Sequence, residues 1–242
     1  MAEALRPETR VLAVSAVQFL SGFRCDLEAL GALCRARGVL FVVDAIQAVG
    51  AVRLDAEALG IDLLATGGHK WLGAMQGVGV AAVAPGLVDR LRPVRGWLNG
   101  PVDWDDFDAI RTDLHPDATR FHVGTMPTAG LYALDAALGG LLAVGPEVIE
   151  AAVLDHAARL AEGLERLGYA RYGPEGEPRS GIVAFDAPDP EGLHAHLAER
   201  GVTCSLRSRR VRFAAHAQTR PEAVDAALDA VAAFGRTVAP VA

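Results

Sequence analysis

The sequence predicts an α/β protein built on a mainly parallel sheet, and two observations carry that prediction. Between Arg10 and about Gly79, apolar runs suited to buried strands recur as RVLAVSAV, VLFVVD, IDLLAT and VGVAAVA, with helical patterns between them. Such alternation is typical of parallel strands whose connections are helices. In addition, 51% of the 242 residues are hydrophobic and 22% are charged, so the chain can bury a substantial core.

The segment DLEALGALCRARG, which links the first two runs, predicts a helix. Asp26 can cap its first turn, and Gly38 can end it in the left-handed conformation that glycine adopts readily. Leu27, Leu30 and Cys34 then share one face. This helix would form the crossover between two parallel strands.

The second half of the chain predicts a smaller domain. Residues 92–127 hold few periodic segments and many Pro, Gly, Asp and Trp residues, so they predict a long loop that lines a site. We therefore expect a partial large domain over residues 1–145 and a small α/β domain over residues 146–242. The elements predicted for the small domain are an amphipathic helix from Pro146, a strand at GIVAF, a helix from Pro190 to Arg200, strands at VTCSL and RVRFA, and a helix from Pro221.

Charge and cysteine usage argue against several classes of function. The net charge is −7, with 23 Lys and Arg against 30 Asp and Glu, so no basic field attracts nucleic acid. Cys25, Cys34 and Cys204 form no CxxC pair and are odd in number, which favours a reducing compartment over a disulfide framework or a zinc site. No run of about eighteen apolar residues predicts a membrane span. We expect a cytoplasmic protein without a metal ion.

Two polar residues follow neighbouring predicted strands. Asp44 ends the run VLFVVD, and Lys70 comes shortly after IDLLAT, 26 residues later (70 minus 44). This separation fits one strand–helix–strand repeat, so both side chains should lie at the carboxyl ends of adjacent strands, where open α/β sheets bind ligands. A carboxylate beside a lysine suits pyridoxal phosphate (PLP), because the amine forms an imine with the aldehyde and the carboxylate keeps the pyridine nitrogen protonated.

The motifs DAIQAVG and GGHKW resemble the cofactor-binding core of class V aminotransferases, the group that includes cysteine desulfurases and kynureninase. The resemblance covers most of the chain and implies the type I fold of PLP-dependent transferases. It implies that Asp44 pairs with the pyridine nitrogen and that Gln47 donates to the ring hydroxyl. It also implies that His69 binds the phosphate and that Lys70, the only lysine in the chain, forms the imine.

The resemblance also assigns residues further along the chain. RFHVGT is similar to the segment in which Gly124 and Thr125 reach the cofactor phosphate of the neighbouring subunit, which implies a homodimer. RVRFAAH is similar to the strand whose arginine, here Arg212, binds the substrate carboxylate. Without the resemblance, Gly124 and Thr125 are an ordinary turn, and Arg212 belongs to a solvated basic edge strand.

The chain departs from the family pattern in several places. Relatives begin with a segment that supplies a phosphate-binding loop and an aromatic ring that stacks on the pyridine. We expect that segment to be missing, so that a sheet edge is uncovered. The chain is then a fragment, is completed by a separate chain, or has an impaired cofactor site. Phe19 stands where relatives often have an asparagine, and Gly67 where they have a serine. Ala217 occupies the place of the sulfur-accepting cysteine in one type of cysteine desulfurase, which disfavours that activity.

The sequence therefore predicts a PLP-dependent enzyme that acts on an amino acid or amine. Lys70 would form the imine and act as general acid and base at the substrate's alpha carbon. Transamination is the first interpretation. A kynureninase-like or carbon–sulfur lyase is the alternative within the same class, and a truncated, noncatalytic remnant is the alternative from another class.

Overall fold

The chain divides into two compact units. The computed structural model describes residues 2–106, 108, 112–173 and 180–238, with the backbone alone for 236–238. Unit 1 comprises Met1–Val14, Asp26–Ala45 and Asp55–Gly139, and unit 2 comprises Ser15–Cys25, Ile46–Leu54 and Gly140–Ala242. The last change of unit falls near residue 145, and two earlier segments also belong to unit 2. The domains 1–145 and 146–242 stay a prediction.

A four-stranded sheet lies in unit 1, apart from the last residue of its first strand. Its strands in spatial order are β1 (Val11–Ser15), β2 (Leu40–Asp44), β3 (Leu63–Gly67) and β4 (Gly79–Val83). β2 and β3 are parallel, whereas β4 is antiparallel to β3 because residues 68–78 are too few for a parallel crossover, which takes about a dozen residues or more. β1 forms one edge, where Val11 is half-exposed. The mainly parallel α/β fold predicted from the sequence is confirmed.

The helix predicted between β1 and β2 is confirmed as α1 (Leu27–Arg37). The Asp26 carboxylate accepts a hydrogen bond from the Ala29 N–H at 3.0 Å, and Gly38 ends the helix with φ of 62°. Leu27 and Cys34 are buried on one face, with Gly31 between them.

The prediction of a second helix for this sheet, between β2 and β3, is wrong. Residues 46–60 form successive turns and irregular backbone instead. Gly50 and Gly60 have φ of 93° and 66°, so the chain leaves helical geometry at both positions. Isolated turns form at Ala48 and Asp55, whose carbonyls accept from the Val52 and Leu59 N–H groups at 2.9 and 3.0 Å.

The remainder of unit 1 is largely a long loop followed by a helix. The helix α2 (Pro85–Val88) is a single turn, and within the described part of residues 92–127 only a 3-10 turn at Ala118–Phe121 interrupts the predicted loop. The next helix, α3 (Thr128–Val144), was not predicted from the sequence and continues into unit 2. Its sequence, TAGLYALDAALGGLLAV, is apolar almost throughout and therefore lacks the periodicity that reveals an amphipathic helix.

Unit 2 contains the predicted small-domain elements and one short strand, Arg171–Tyr172, that was not predicted. Its strands, β5 (Arg171–Tyr172), β6 (Ile182–Phe185), β7 (Ser205–Arg207) and β8 (Arg210–Ala214), form an antiparallel sheet in the order β5-β6-β8-β7. Three helices, α4 (Pro146–Arg166), α5 (Pro190–Glu199) and α6 (Pro221–Val238), share a hydrophobic core with one face of this sheet. On that face Val183, Phe185, Val211 and Phe213 alternate with residues of the opposite face.

Glu150 on α4 holds both early segments of unit 2. Its carboxylate forms an ion pair with Arg24 at 2.9 Å and accepts from the Arg53 N–H at 3.3 Å. Elsewhere in the same unit, the Ser180 hydroxyl donates to the Gly22 carbonyl at 2.8 Å. These contacts fix residues 15–25 and 46–54 on the rest of unit 2.

No single helix in the described part of the chain is long and apolar enough to cross a membrane. α3 and α4 meet that requirement only when taken together, as a pair bent by 84°.

A pair of glycine substitutions tests the packing of α1. A Cβ on Gly31 would collide with the Leu59 carbonyl oxygen, whereas a Cβ on Gly139 in α3 meets nothing within 4 Å. We expect Gly31→Ala to lower the free energy of unfolding by about 1–3 kcal/mol. Gly139→Ala, the matched control, should raise it by about 0.5–1 kcal/mol through helix propensity. Urea titrations followed by circular dichroism measure both values, and equal effects would contradict the α1 packing.

Candidate active site

Lys70 lies in a turn that directly follows β3 and is closed by backbone hydrogen bonds. The Gly68 N–H donates to the Val78 carbonyl at 2.9 Å, and the Ala74 N–H donates back to the Gly68 carbonyl at 2.8 Å. Within the turn, the Gly73 N–H donates to the carbonyl of Lys70 itself at 3.0 Å. The backbone at Lys70 is therefore fixed to the end of the β3–β4 pair.

Two side chains of this turn are buried and two are exposed to solvent. Trp71 and Leu72 are only 5% and 3% exposed, so their burial anchors the turn, whereas His69 and Lys70 are exposed. Gly68 makes the close approach possible, since a Cβ there would lie 2.9 Å from a methyl carbon of Val78. The sequence GGHKW thus combines a tight glycine, two presented polar residues and an apolar anchor.

Asp44 lies at the same edge of the unit 1 sheet. It is the last residue of β2 and is paired with Ala65 in parallel β3, and the next residue, Ala45, donates its N–H to the Ala65 carbonyl at 2.8 Å. Asp44 is exposed between the buried Val43 and Ala45. Because parallel strands end at one edge, the carboxylate of Asp44 and the turn that carries His69 and Lys70 follow the carboxyl ends of adjacent strands.

Gly124 and Thr125 belong to the long loop of unit 1, which is organised by a residue that the sequence analysis missed. Asn99 is 2% exposed, accepts from the Gly96 N–H, and donates to the carbonyls of Arg120 and His122 at 2.7 and 3.0 Å. Its side chain thereby fixes the backbone just ahead of Gly124. The Asn-Gly pair at 99–100 was a signal for a turn, but nothing local to it indicated burial.

Gly124 is half-buried and Thr125 exposed in this loop. A Cβ on Gly124 would lie 3.4 Å from the indole nitrogen of Trp97, which is tight but short of a collision. Trp97 packs edge-on against Trp104, with ring centroids 5.9 Å apart. The loop of residues 92–127 thus holds Gly124 beside an aromatic pair.

Gln47 and Arg212 belong to unit 2. Gln47 lies in the turn after β2 and is 6% exposed. Arg212 on β8 is half-buried, and its guanidinium donates to the Phe19 carbonyl at 2.6 Å and to the Ser205 hydroxyl at 3.4 Å. Burial, and then the charge of Arg207, lower the pKa of Arg212. Arg212 is therefore not the solvated edge residue of the alternative interpretation.

The cysteines have poorly activated thiols. Burial raises the pKa of Cys204 to about 11, and Cys204 packs against the unit 2 core. Burial also raises the pKa of Cys25, and burial together with the charge of Asp62 raises that of Cys34. A thiol held in its protonated form is a poor nucleophile, so Cys204 has a packing role.

The fold and the residues at the sheet edge define a member of an enzyme family. The family model "Aminotransferase class-V" matches residues 1–206, and the chain belongs to that family. PLP is the cofactor of this family. Comparison with curated protein sequences gave no match.

Solved structures share this fold. An apo cysteine desulfurase from Thermococcus onnurineus NA1 is similar with a TM-score of 0.85 and 25% identity over 95% of this chain and 60% of that one. A cystine C-S lyase, in complex with its product cysteine persulfide, gives a TM-score of 0.87 and 25% identity over 96% of this chain and 63% of the lyase. A ureidoglycine-glyoxylate aminotransferase from Bacillus subtilis, at 21% identity, gives a TM-score of 0.77 over 96% and 62% of the two chains. This chain thus spans less than two thirds of the length of these structures.

The environment of Cys204 predicts slow alkylation. At pH 8 a thiol with a pKa of about 11 is ionised to only about one part in a thousand, so iodoacetamide should modify Cys204 at least about tenfold more slowly than free cysteine. The rate should rise steeply between pH 8 and 10. Peptide mapping by mass spectrometry measures the rate, and urea-unfolded protein is the control in which the thiol reacts normally. Modification of folded Cys204 as fast as free cysteine would contradict its burial.

Proposed function

We propose that this chain is the lysine-bearing part of a PLP-dependent enzyme that acts on an amino acid or amine, with transamination as its reaction. One observation carries the proposal. The only lysine of the chain is exposed on a hydrogen-bonded turn at the end of β3, and the parallel neighbour β2 ends in an exposed carboxylate, Asp44. Membership of the class V family supports the same conclusion.

The donor set of unit 1 fits the chemical groups of the cofactor. The Lys70 amine suits an aldehyde, the Asp44 carboxylate suits a protonated pyridine nitrogen, and the His69 imidazole can donate to a phosphate. When bound, the cofactor's pyridine ring accepts the electrons of the bond that breaks at the substrate's alpha carbon. His69 and Lys70 are adjacent and both exposed, so one short turn can address two groups of one ligand.

Further assignments belong to the same proposal. Gln47 would donate to the ring hydroxyl, Gly124 and Thr125 would bind the phosphate of a neighbouring subunit in a homodimer, and Arg212 would bind the substrate carboxylate. The half-burial of Arg212 supports its role, because a partly desolvated guanidinium binds a carboxylate more strongly than a fully hydrated one. A cytoplasmic location is also part of the proposal.

Transamination requires a group that removes a proton from the substrate's alpha carbon and returns it to another carbon. Lys70 is the residue we propose for both transfers, because its flexible side chain carries a titratable amine at the position that holds the aldehyde. The burial of Trp71 and Leu72 fixes the base of that side chain and leaves its end to move between the two carbons.

A carbon–sulfur lyase is the second candidate, because a cysteine desulfurase and a cystine lyase share 25% identity with this chain. The products separate the two reactions. Transamination requires a 2-oxo acid acceptor and yields a new amino acid, whereas the lyase releases sulfur from cysteine or cystine and needs no 2-oxo acid. The raised pKa of Cys204 and the presence of Ala217 are unfavourable to sulfur transfer onto a cysteine of this chain.

Lys70→Ala tests the cofactor attachment directly. After incubation with PLP and reduction with borohydride, the unaltered protein should carry the pyridoxyl label on Lys70, whereas the variant should carry none and keep its circular dichroism spectrum, because the side chain is exposed. Lys70→Arg is the matched control, since it keeps the positive charge but cannot form the covalent link. A label on the amino terminus alone, equal in all three proteins, would refute the assignment and favour the noncatalytic alternative.

Asp44→Asn should keep covalent labelling at Lys70 and slow turnover by about a hundredfold or more, because a neutral amide does not hold the pyridine nitrogen protonated. Asp55→Asn is the control, since Asp55 is an exposed turn residue of the same unit whose carboxylate accepts from the Ala58 N–H at 3.0 Å. Labelling is followed by mass spectrometry and turnover by amino acid analysis. Normal turnover in Asp44→Asn would show that another residue pairs with the ring.

A further inference from the structure

One face of the unit 2 sheet carries three arginines. Arg207 of β7 is paired with Arg210 of β8, and Ser205 is paired with Arg212, so these four side chains share the face opposite the hydrophobic core. Like charges on directly opposed residues destabilise a sheet unless other groups neutralise them. The question for each arginine on this face is therefore which group neutralises its charge.

Arg210 is compensated within unit 2. Its Nε lies 2.9 Å from a carboxylate oxygen of Asp186, and its guanidinium lies over the ring of Tyr172, 3.8 Å from the centroid. Arg209, in the two-residue turn of this hairpin, has an ion pair with Glu191 at 3.4 Å. Both have structural partners.

Arg207 and Arg212 differ from these two. Among the residues that the structure describes, neither has an ion pair with a carboxylate. Arg212 donates only to neutral oxygens, those of Phe19 and Ser205, and its Nε is buried without a hydrogen-bond partner. Arg207 is exposed, donates only to the neighbouring carbonyl of Leu206, and its charge lowers the pKa of Arg212.

This arrangement is unfavourable unless an anion binds. Two guanidinium groups that repel each other, one of them half-buried, remain without a described counter-ion in a chain with 30 acidic residues. A buried or half-buried charge is normally paired. The missing negative charges are therefore expected from a ligand.

We propose that Arg207 and Arg212 together bind a substrate with two carboxylates, so that the enzyme acts on an acidic amino acid. Arg212 binds the alpha-carboxylate and Arg207 the carboxylate of the substrate side chain. Arg207 and Arg212 occupy diagonal positions of the β7–β8 pair, about 7–8 Å apart, so each guanidinium can bind a separate carboxylate of one ligand. The inference rests on the proposed function in a single respect, that Arg212 binds the substrate.

The test compares a dicarboxylate with a monocarboxylate of similar length. Glutarate and butyrate are titrated calorimetrically into the full 242-residue chain. Neither acid has an amino group, so neither can react. Glutarate should bind about tenfold more tightly than butyrate, the increment of one partly screened ion pair, and raised ionic strength should reduce the difference.

The variants assign that preference to residues. Arg207→Gln should bind glutarate no better than butyrate and keep the butyrate affinity of the unaltered protein, whereas Arg212→Gln should lose both ligands. Arg209→Gln, from the same hairpin, is the control and should keep the preference. A preference that survives in Arg207→Gln, equal binding of both acids by the unaltered protein, or binding of neither overturns the proposal.

These measurements are independent of the cofactor. If dicarboxylate preference is present but borohydride leaves no label on Lys70, the proposed function fails while the anion site stands. If Lys70 is labelled but the preference is absent, the assignment of the substrate class fails alone.

Discussion

The parallel pairing of β2 with β3 is the constraint on which the candidate site depends. The ladder places Asp44 opposite Ala65, and the hydrogen bond from Ala45 to Ala65 continues it one residue beyond β2. A slip of one residue would turn the Asp44 carboxylate into the apolar layer formed by Val43 and Ala45. The same ladder fixes the end of β3 and hence the start of the turn that carries Lys70. One backbone register therefore decides whether acid and amine are presented at one edge.

Two kinds of burial anchor the loop segments of unit 1. The turn after β3 is anchored by apolar side chains, Trp71 and Leu72, whose burial stabilises by about 1.5–3 kcal/mol each. The long loop is anchored by a polar one, Asn99, whose oxygen and nitrogen are both hydrogen-bonded to backbone. Loss of one partner of such a buried group costs about 1–3 kcal/mol. A loop with so few apolar residues can thus still hold Gly124 in one place.

Unit 2 distributes its charges unevenly. Glu150 binds Arg24 and the backbone of Arg53 and so stabilises the segments that contain Phe19 and Gln47. On the sheet face opposite the hydrophobic core, Arg210 is neutralised by Asp186. Arg207 and Arg212 have no carboxylate partner among the described residues. The carbonyl of Phe19 orients the Arg212 guanidinium without neutralising it. An arginine that is oriented but not neutralised is suited to an anionic ligand.

Local chemistry let the sequence determine α1, α4 and most of the unit 2 elements. Caps such as Asp26 and Gly38 act within one turn, and the apolar periodicity after Pro146 is complete within its own helix. The motif around Lys70 likewise identified the family from a few residues. Tertiary structure alone decided the antiparallel direction of β4, the turns in place of a helix after β2, and the helix α3. It also decided the burial of Asn99 and the neutral partners of Arg212, because each depends on groups distant in sequence, whose approach no local pattern encodes.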